Sequence, residues 1–264
     1  MISLKSPREI EAMEKSGAVL AGMHIGVREI IRPGISSWVI EEFAREYFKK
    51  AHAIAAQIGF EGYQYATCIS VNDEICHGFP RKKLIFKDND LVKVDTVVNL
   101  DGAYSDSCWS YAVGKASDEV KRLMDVTYKS LYLGIDQCKV GNRIGDIGAA
   151  IQHYTEDENG YGDVREFVGH GIGPTMHEDP MVPHYGKAGQ GTRLRNGMTI
   201  TVEPMINTGT WEADTSDPSG WLAKTADGGL SCQYEHSLVV TDKGPKIFTS
   251  KDPEPEAANL YDDN

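Results

Sequence analysis

The stretch Val92–Ser107, VKVDTVVNLDGAYSDS, predicts a β-hairpin that carries an aspartate inside each of its two strands. The dipeptide Asp101-Gly102 favours a two-residue type I′ turn at the tip. That turn makes Asp95 and Asp106 diagonal neighbours on one face, roughly 7–8 Å apart at the backbone. The predicted register is a set of facing pairs: Leu100 with Ala103, Val97 with Asp106, and Asp95 with Cys108.

Two carboxylates that converge on a buried face repel each other, and desolvation favours their protonated forms. A divalent cation bound between them removes both penalties, so the hairpin predicts a metal site. The alternative is a hairpin with one solvated face. Alternation does not decide between the two, because Asp95 shares its predicted face with both Lys93 and Val97.

The chain reads as a duplication of helices followed by strands. Helices are predicted from the Ser6-Pro7-x-Glu9 capping box onward and over the runs Trp38–Ala53, Ser117–Cys138 and Arg143–Glu158. Strands are predicted within Ala66–Asn72, Asp90–Val98, Gly102–Gly114, Gly197–Ile206 and Ser231–Thr241.

An offset of 107 positions sets Arg32 on Lys139, Gly34 on Gly141, Ile40 on Ile147, Tyr47 on Tyr154 and Asn89 on Asn196. A slip of one residue, which a bulge would absorb, then sets Asp95 on Glu203. The pattern predicts an α/β (α+β) fold with pseudo-symmetric halves and a site between them. We expect one domain over residues 1–250 and an acidic C-terminal tail over 251–264.

The second half adds two more carboxylates in apolar surroundings, Glu203 in TITVEPMI and Glu235 in SCQYEHSLVV. Four carboxylates on facing strands need more than one cation for neutralisation, which predicts a two-metal centre. The glycine-rich run FVGHGIGPTMHEDP adds His170 as a candidate ligand and His177 as a candidate substrate contact. His77 lies in a similar His-Gly setting ahead of the first carboxylate strand.

An oxygen-rich ligand set with one imidazole favours Mn, Fe(II), Co or Zn over copper. A pair of such ions generates a hydroxide nucleophile near neutral pH, so the predicted reaction is hydrolysis of a carbonyl or phosphoryl bond. The chain lacks a P-loop, a G-x-S-x-G elbow and an H-E-x-x-H motif, so three other catalytic classes receive no support.

The composition excludes other classes of partner. A formal net charge of −12 disfavours direct binding to nucleic acid or to anionic membranes. The basic loop Pro80–Lys87 is a local exception, which we interpret as a solvated loop or as a ribosome contact. The first residues resemble no signal peptide and the five cysteines form no C-x-x-C pair, so we expect a cytoplasmic protein.

The run from Phe167 to Tyr185, FVGHGIGPTMHEDPMVPHY, resembles the signature of type I methionine aminopeptidases. The segments CISVNDEICHGFP, NGMTITVEPMI and QYEHSLVVTDKG are similar to its flanking segments, and the resemblance covers residues 3–249. It implies the pita-bread fold, a central antiparallel sheet covered by helices. It also implies removal of the initiator methionine from nascent chains with a small second residue, and a monomer.

The resemblance also implies a role for each site residue. Asp95 would bind one of two metal ions, Asp106 and Glu235 would bridge both, and His170 and Glu203 would complete the other. Glu203 would also carry a proton, and His77 and His177 would hold the substrate and stabilise the oxyanion. The methionine side chain would enter a pocket formed by Phe60, Tyr63, Cys68, Met176 and Trp221.

Two alternatives stay open at this point. A proline-directed peptidase on the same fold is the nearer one, although such enzymes carry a further N-terminal domain for which residues 1–90 are too short. A non-catalytic binding protein on the same scaffold is the other. Loss of metal ligands would mark that protein, whereas all five are present here.

Overall fold

A computed structural model of the chain describes residues 2–251. Apart from Lys251, the predicted acidic tail lies outside the described residues. The four helices of the described part are α1 (Pro7–Ile30), α2 (Ser37–Lys50), α3 (Asp118–Ile135) and α4 (Ile144–Gln152). A π-helical turn, His153–Glu158, extends α4, and a 3₁₀ turn covers Phe60–Gly62.

Fifteen strands, most of them short, make up the sheets of the described part. Those of the first half are β1 (Ile54–Ala55), β2 (Cys68–Val71), β3 (Glu74–Cys76), β4 (Leu91–Leu100) and β5 (Ala103–Ala112). Those of the second half are β6 (Gly162–Asp163), β7 (Gly169–Gly171), β8 (Glu178–Val182), β9 (Thr199–Val202), β10 (Met205–Asn207), β11 (Ala213–Asp214), β12 (Ala223–Thr225), β13 (Ser231–Gln233), β14 (His236–Thr241) and β15 (Gly244–Ile247).

The start of α1 follows from its first four residues, as predicted. The Ser6 hydroxyl accepts the Glu9 N–H, and the Glu9 carboxylate accepts the Ser6 N–H at 2.7 Å. Pro7 occupies the first turn, where its missing N–H costs nothing. Each interaction satisfies a backbone donor that the helix itself leaves unpaired.

The β4–β5 hairpin has the predicted turn and register. Asp101 and Gly102 both have left-handed backbones, with φ of 52° and 89°, and these angles define a type I′ turn. Asp95 faces Cys108 and Val97 faces Asp106, so the register prediction is confirmed. One face of this hairpin packs on α1, and the other carries the two aspartates toward the second half.

The two halves join where β5 meets β14. β4 is the central strand of the first sheet, with β5 on one edge and β1 and β2 on the other; the second sheet has the order β15-β14-β9-β7-β8. The Glu235 N–H donates to the Cys108 carbonyl at 2.8 Å. The Ser237 hydroxyl bonds both the N–H and the carbonyl of Asp106. Antiparallel strands therefore continue from one half into the other.

Each half has its own apolar core. α1 and α2 cover the first sheet through residues such as Leu20 and Ile40, and α3 and α4 cover the second through Leu123 and Ile147. Helices therefore lie outside and the joined sheets lie inside. The predicted fold class, α/β with duplicated halves around a central antiparallel sheet, is confirmed.

Hydrogen bonds support the duplication and correct its alignment. The Gly34 N–H donates to the Phe86 carbonyl, and the Gly141 N–H donates to the Leu194 carbonyl in the same way. The segment between donor and acceptor is one residue longer in the second half, so the offset between the halves is 108 after this segment. Asn89 and Gly197 are then equivalent, with φ of 70° and 85°. The predicted match of Asn89 with Asn196 was wrong by one position, and Asp95 still matches Glu203.

Each half contributes two carboxylates, but only one of the two positions is acidic in both halves. β4–β5 and β9–β14 have equivalent registers, with Leu91 facing Ala112 and Thr199 facing Val239. That register makes Cys108 the counterpart of Glu235, and Gln233 the counterpart of Asp106. Asp95 and Glu203 therefore hold the acidic position that both halves share. Asp106 and Glu235 are the additional carboxylates, and their positions are not equivalent.

The two second-half strands are shorter than predicted. β9 ends at Val202, because Glu203 leaves the ladder and Pro204 has no N–H to donate. β14 begins at His236, because the Glu235 N–H bonds Cys108 across the halves instead of a neighbour in its own sheet. Both glutamates therefore lie at breaks between strands. Among residues 2–251, no helix is long and apolar enough to cross a membrane.

Candidate active site

A cavity of about 320 Å³ lies between the halves, and every residue predicted from the sequence as part of the site lines it. These residues are Phe60, Tyr63, Cys68, His77, Asp95, Asp106, His170, Met176, His177, Glu203, Trp221 and Glu235. Their individual roles stay predictions. The cavity also takes in residues that the sequence did not point to, among them Gln57, Val97, Phe167, Met181 and Met205.

Acidic side chains converge at the inner end of the cavity. Ligand atoms of Asp106, His170 and Glu235 all lie within 4.8 Å of one another. Asp106 is 6 % exposed and Glu235 2 % exposed. The Oδ1 atom of Asp106 and the Oε1 atom of Glu235 are buried without a hydrogen-bond partner. Buried acceptors without partners are rare in folded proteins, so these two call for a cation.

The pKa values of the site carboxylates point the same way. Burial, followed by the charges of Asp106 and Glu203, raises the pKa of Asp95 well above its usual range. Burial and neighbouring carboxylates do the same to the pKa of Glu235. Burial raises the pKa of Glu203 to about 7. The protein alone therefore does not stabilise these groups as anions, and a cation would.

The orientation of His170 is set by its surroundings. Its Nδ1 atom lies 2.9 Å from the Gly171 carbonyl, a contact that requires the proton on Nδ1. Nε2 lies 3.6 Å from Asp106 Oδ2 and 3.8 Å from Glu203 Oε1, and these two carboxylates outweigh burial and raise the pKa of His170. The His170 N–H donates to the Thr201 hydroxyl, which in turn donates to Glu203 Oε1 at 2.7 Å. One hydroxyl thus positions two candidate ligands.

These residues fit a divalent metal centre. Carboxylate oxygens and one imidazole nitrogen are ligands that Mn, Fe(II), Co and Zn accept. The unpartnered oxygens of Asp106 and Glu235 are placed to bind such an ion, and Nε2 of His170 would bind it on losing its proton. Hydrogen bonds to Thr201 and Gly171 hold two of these ligands in place.

His184 is a residue that sequence reasoning missed. It is fully buried, and its Nε2 atom accepts the backbone N–H of Glu203 at 3.1 Å. Burial lowers the pKa of His184 to about 3, so the ring is neutral and keeps its acceptor. His184 therefore fixes the main chain of Glu203 at the break after β9. His184 lies near the end of the signature run, in Pro183-His184-Tyr185, where no neighbouring residue marks it as a contact of Glu203.

The two substrate-contact histidines occupy matching places in the halves. Val71 pairs with Val92, and Gly171 pairs with Ile200, which is the counterpart of Val92 in the second half. Val71 and Gly171 are therefore equivalent, and so are His77 and His177, which each lie six residues further along the chain. Loss of solvent around the half-buried ring lowers the pKa of His77, despite the opposing charge of Asp106. His77 has a left-handed backbone with φ of 57°, which is uncommon for a residue other than glycine and is often found at functional sites.

Aromatic rings form the outer wall of the cavity. The Tyr63 ring lies 5.0 Å from that of Trp221, and the Trp221 ring lies 5.9 Å from that of His77. The Phe60 ring lies 5.3 Å from that of His177. With the sulfur atoms of Cys68 and Met176 added to the lining, the wall is apolar and polarisable.

Comparisons with known proteins show the family of the chain. The sequence profile of metallopeptidase family M24 matches residues 11–242. Methionine aminopeptidase A of Synechocystis sp. is 44 % identical over 94 % of this chain and 97 % of its own. A methionine aminopeptidase structure from Thermotoga maritima superposes with a TM-score of 0.92 at 41 % identity, covering 95 % of this chain and all of that one. A streptococcal methionine aminopeptidase structure is 53 % identical with a TM-score of 0.90, covering 96 % and 99 %.

Proposed function

The chain belongs to metallopeptidase family M24, and we propose that it is a methionine aminopeptidase, a metal-dependent enzyme that hydrolyses the peptide bond after an N-terminal methionine. The observation that carries the proposal is the shared cavity. The five acidic and imidazole side chains and the aromatic, sulfur-bearing wall line the same 320 Å³ of space. High-coverage likeness to methionine aminopeptidases supports the same reading.

We further propose two metal ions, held by Asp95, Asp106, His170, Glu203 and Glu235. The close group of Asp106, His170 and Glu235 supports one position. Asp95, whose pKa burial and the charge of Asp106 raise, supports a second. When bound, the ions would supply a nucleophile from water at neutral pH and polarise the scissile carbonyl.

The chain's own residues would then position the substrate and move its protons. Glu203 would carry the proton, because it lines the cavity and the Thr201 hydroxyl holds its Oε1 atom in place. His77 and His177 lie at the cavity on opposite sides of the pseudo-twofold axis, where they can bind the substrate backbone. The neutral state of His77 allows it to donate one hydrogen bond to a developing oxyanion.

The aromatic wall would take the methionine side chain. Phe60, Tyr63, Cys68, Met176 and Trp221 present ring and sulfur surface, with which a thioether packs well. The Phe60 and His177 rings narrow the opening, where the second substrate residue would lie. This crowding supports a preference for small second residues.

We propose that residues 1–250 act as one monomeric catalytic unit in the cytoplasm, on nascent chains. The strands that continue from β5 to β14 support a single unit. The five buried, unpaired cysteines suit a reducing compartment. Transient ribosome contact through Pro80–Lys87 is part of the same proposal. In this loop Arg81 pairs with Glu74 and Lys82 lies over the Trp38 ring, while Lys83 is exposed.

The test of the activity begins with metal-stripped protein titrated with Mn, Co, Fe(II) or Zn. Release of the first residue is measured from Met-Ala-Ser, Met-Leu-Ser and Ala-Pro-Ser. We expect metal-dependent release of methionine from Met-Ala-Ser and little from Met-Leu-Ser. Cleavage of Ala-Pro-Ser instead would assign the chain to the proline-directed peptidases. Metal binding without any turnover would favour a binding protein.

Two variants test the assigned roles. Asp106→Asn should abolish metal binding in calorimetry, because it removes an oxygen that lies between the other candidate ligands. Glu203→Gln should lower kcat more than KM, because it removes the proton carrier and leaves the aromatic pocket intact.

For the ribosome contact, Lys82→Glu with Lys83→Glu should reduce co-sedimentation with ribosomes, and unchanged co-sedimentation would remove that part of the proposal.

A further inference from the structure

A buried glutamate of α2 holds the loop that carries two residues of the proposed methionine pocket. Glu41 is fully buried and is not among the residues that line the cavity. Tyr63 and Cys68 do line it, and they stand at the two ends of residues 63–68, the pocket loop. Burial of a carboxylate is costly unless donors satisfy its oxygens, so the position of those donors defines its role.

Three of the donors to Glu41 come from the pocket loop. The Ala66 N–H donates to Oε1 at 2.9 Å, and the Thr67 N–H donates to Oε2 at 3.0 Å. The Thr67 hydroxyl also donates to Oε2, at 2.6 Å. Hydrogen bonds to a carboxylate are stronger than those between neutral groups. The main chain directly before Cys68 is therefore fixed to α2.

Arg45, one turn further along α2, reaches the other end of the pocket loop. Its Nε atom donates to Glu41 Oε1 at 2.5 Å, and its Nη2 atom donates to the Gln64 carbonyl at 3.0 Å. One guanidinium thus compensates the charge of the buried carboxylate and binds the residue that follows Tyr63. Glu41 and Arg45 together bind both ends of the loop.

The Tyr63 ring depends on the main chain that Glu41 holds. The Tyr63 hydroxyl donates to the Thr67 carbonyl at 3.0 Å. On the side away from α2, the Thr96 hydroxyl of β4 donates to the Ala66 carbonyl at 2.7 Å. The pocket loop is therefore held between α2 and β4, and loss of Glu41 would release it on the α2 side.

We propose that Glu41 is a positioning residue for the methionine pocket. With Arg45 it fixes Tyr63 and Cys68, and thereby sets the selectivity for methionine over other apolar first residues. The proposal rests on the proposed aminopeptidase function and deepens it. A wall discriminates between apolar side chains by contact, and a gap of roughly 0.5–1 Å forfeits about a quarter to a half of the contact energy. A loop released from α2 would open such a gap.

The test measures kcat/KM for Met-Ala-Ser and for Leu-Ala-Ser in wild type and Glu41→Gln. Glutamine keeps the length but turns one acceptor into a donor, so it cannot accept all the bonds that Glu41 accepts. We expect the ratio of the methionine constant to the leucine constant to fall about tenfold, mainly through a higher KM for Met-Ala-Ser. Metal affinity in calorimetry should stay unchanged, because the bonds of Glu41 go to the pocket loop and to Arg45.

Arg45→Met is the second variant, because this side chain is 40 % exposed and its loss leaves the three loop bonds of Glu41 in place. It removes the bond to Gln64 and should shift the ratio in the same direction by a smaller factor. Two controls should keep the wild-type ratio. Glu46→Gln changes an exposed glutamate of the same helix, and Ser6→Ala costs stability at the cap of α1, away from the pocket loop.

An unchanged ratio and an unchanged KM for Met-Ala-Ser in both Glu41→Gln and Arg45→Met overturn the proposal. If Glu41→Gln does not fold, Arg45→Met alone decides. An equal fall of the ratio in Ser6→Ala would show that general destabilisation is the cause, and weakened metal binding in Glu41→Gln would show that Glu41 acts on the metal centre; either result also overturns the proposal. Failure of wild type to release methionine from Met-Ala-Ser with any metal is a separate outcome, which refutes the proposed function and this inference with it.

Discussion

Replacement of His184 by glutamine should make the stability of the protein less sensitive to acid. The folded state holds His184 neutral with a pKa of about 3, whereas an unfolded histidine titrates near 6.5. Because the pKa of His184 is lower in the folded state, the unfolded state binds more protons than the folded state between about pH 3 and pH 6.5. Stability is therefore lost as pH falls from 6.5 toward 3. For this one group the loss between pH 7.5 and pH 5 comes to about 2 kcal/mol.

The assay is urea unfolding of metal-free wild type and His184→Gln at pH 7.5, 6 and 5. Glutamine can still accept the Glu203 N–H through Oε1 and does not titrate, so the variant should lose about 2 kcal/mol less than wild type over this range. His153→Gln is the control, because His153 is exposed and Asp157 raises its pKa. That control should not reduce the acid sensitivity. Equal pH dependence in wild type and His184→Gln would refute the reasoning.

Three further predictions concern stability. Glu235→Gln should abolish metal binding in calorimetry yet raise the melting temperature of the metal-free protein at pH 8 by about 2–4 °C, because one repelling buried carboxylate is gone; a lower melting temperature would contradict this. Ser6→Ala should cost about 1 kcal/mol of unfolding free energy in urea, since it removes the α1 cap. Gly17→Ala should destabilise the protein in thermal unfolding despite alanine's helix preference, because its Cβ would lie 2.4 Å from the Phe248 carbonyl oxygen; a stabilised variant would show that this contact relaxes.

The parts of the site that sequence alone predicted are those fixed by local geometry. The Asp101-Gly102 turn sets the register of β4 and β5, and the register alone brings Asp95 and Asp106 to one face. The capping box of α1 is similarly local. The resemblance to type I methionine aminopeptidases supplied the pocket residues, because spacing along the chain does not define a wall built from separate loops.

The parts that sequence did not predict depend on contacts between distant segments. Gln57 faces the cavity because its neighbours bond to β4 and to the next turn, and a glutamine before a glycine-rich turn has no pattern of its own. His184 acts through a single backbone N–H of Glu203. The break before β14 exists because Glu235 bonds Cys108 of the other half. Pro204, by contrast, was a readable sign that β9 ends at Val202.

The distribution of candidate ligands over both halves has a consequence for the order of folding. The hairpin with Asp95 and Asp106 can form early, because its contacts are local, whereas Glu235 reaches them only after β14 has docked on β5. A partly folded chain therefore holds an incomplete ligand set and binds metal weakly. Since a ligand stabilises the state that binds it, the metal would selectively stabilise molecules whose two halves have assembled. Metal uptake would then serve as a late checkpoint of folding, and its rate would report the docking of the second half.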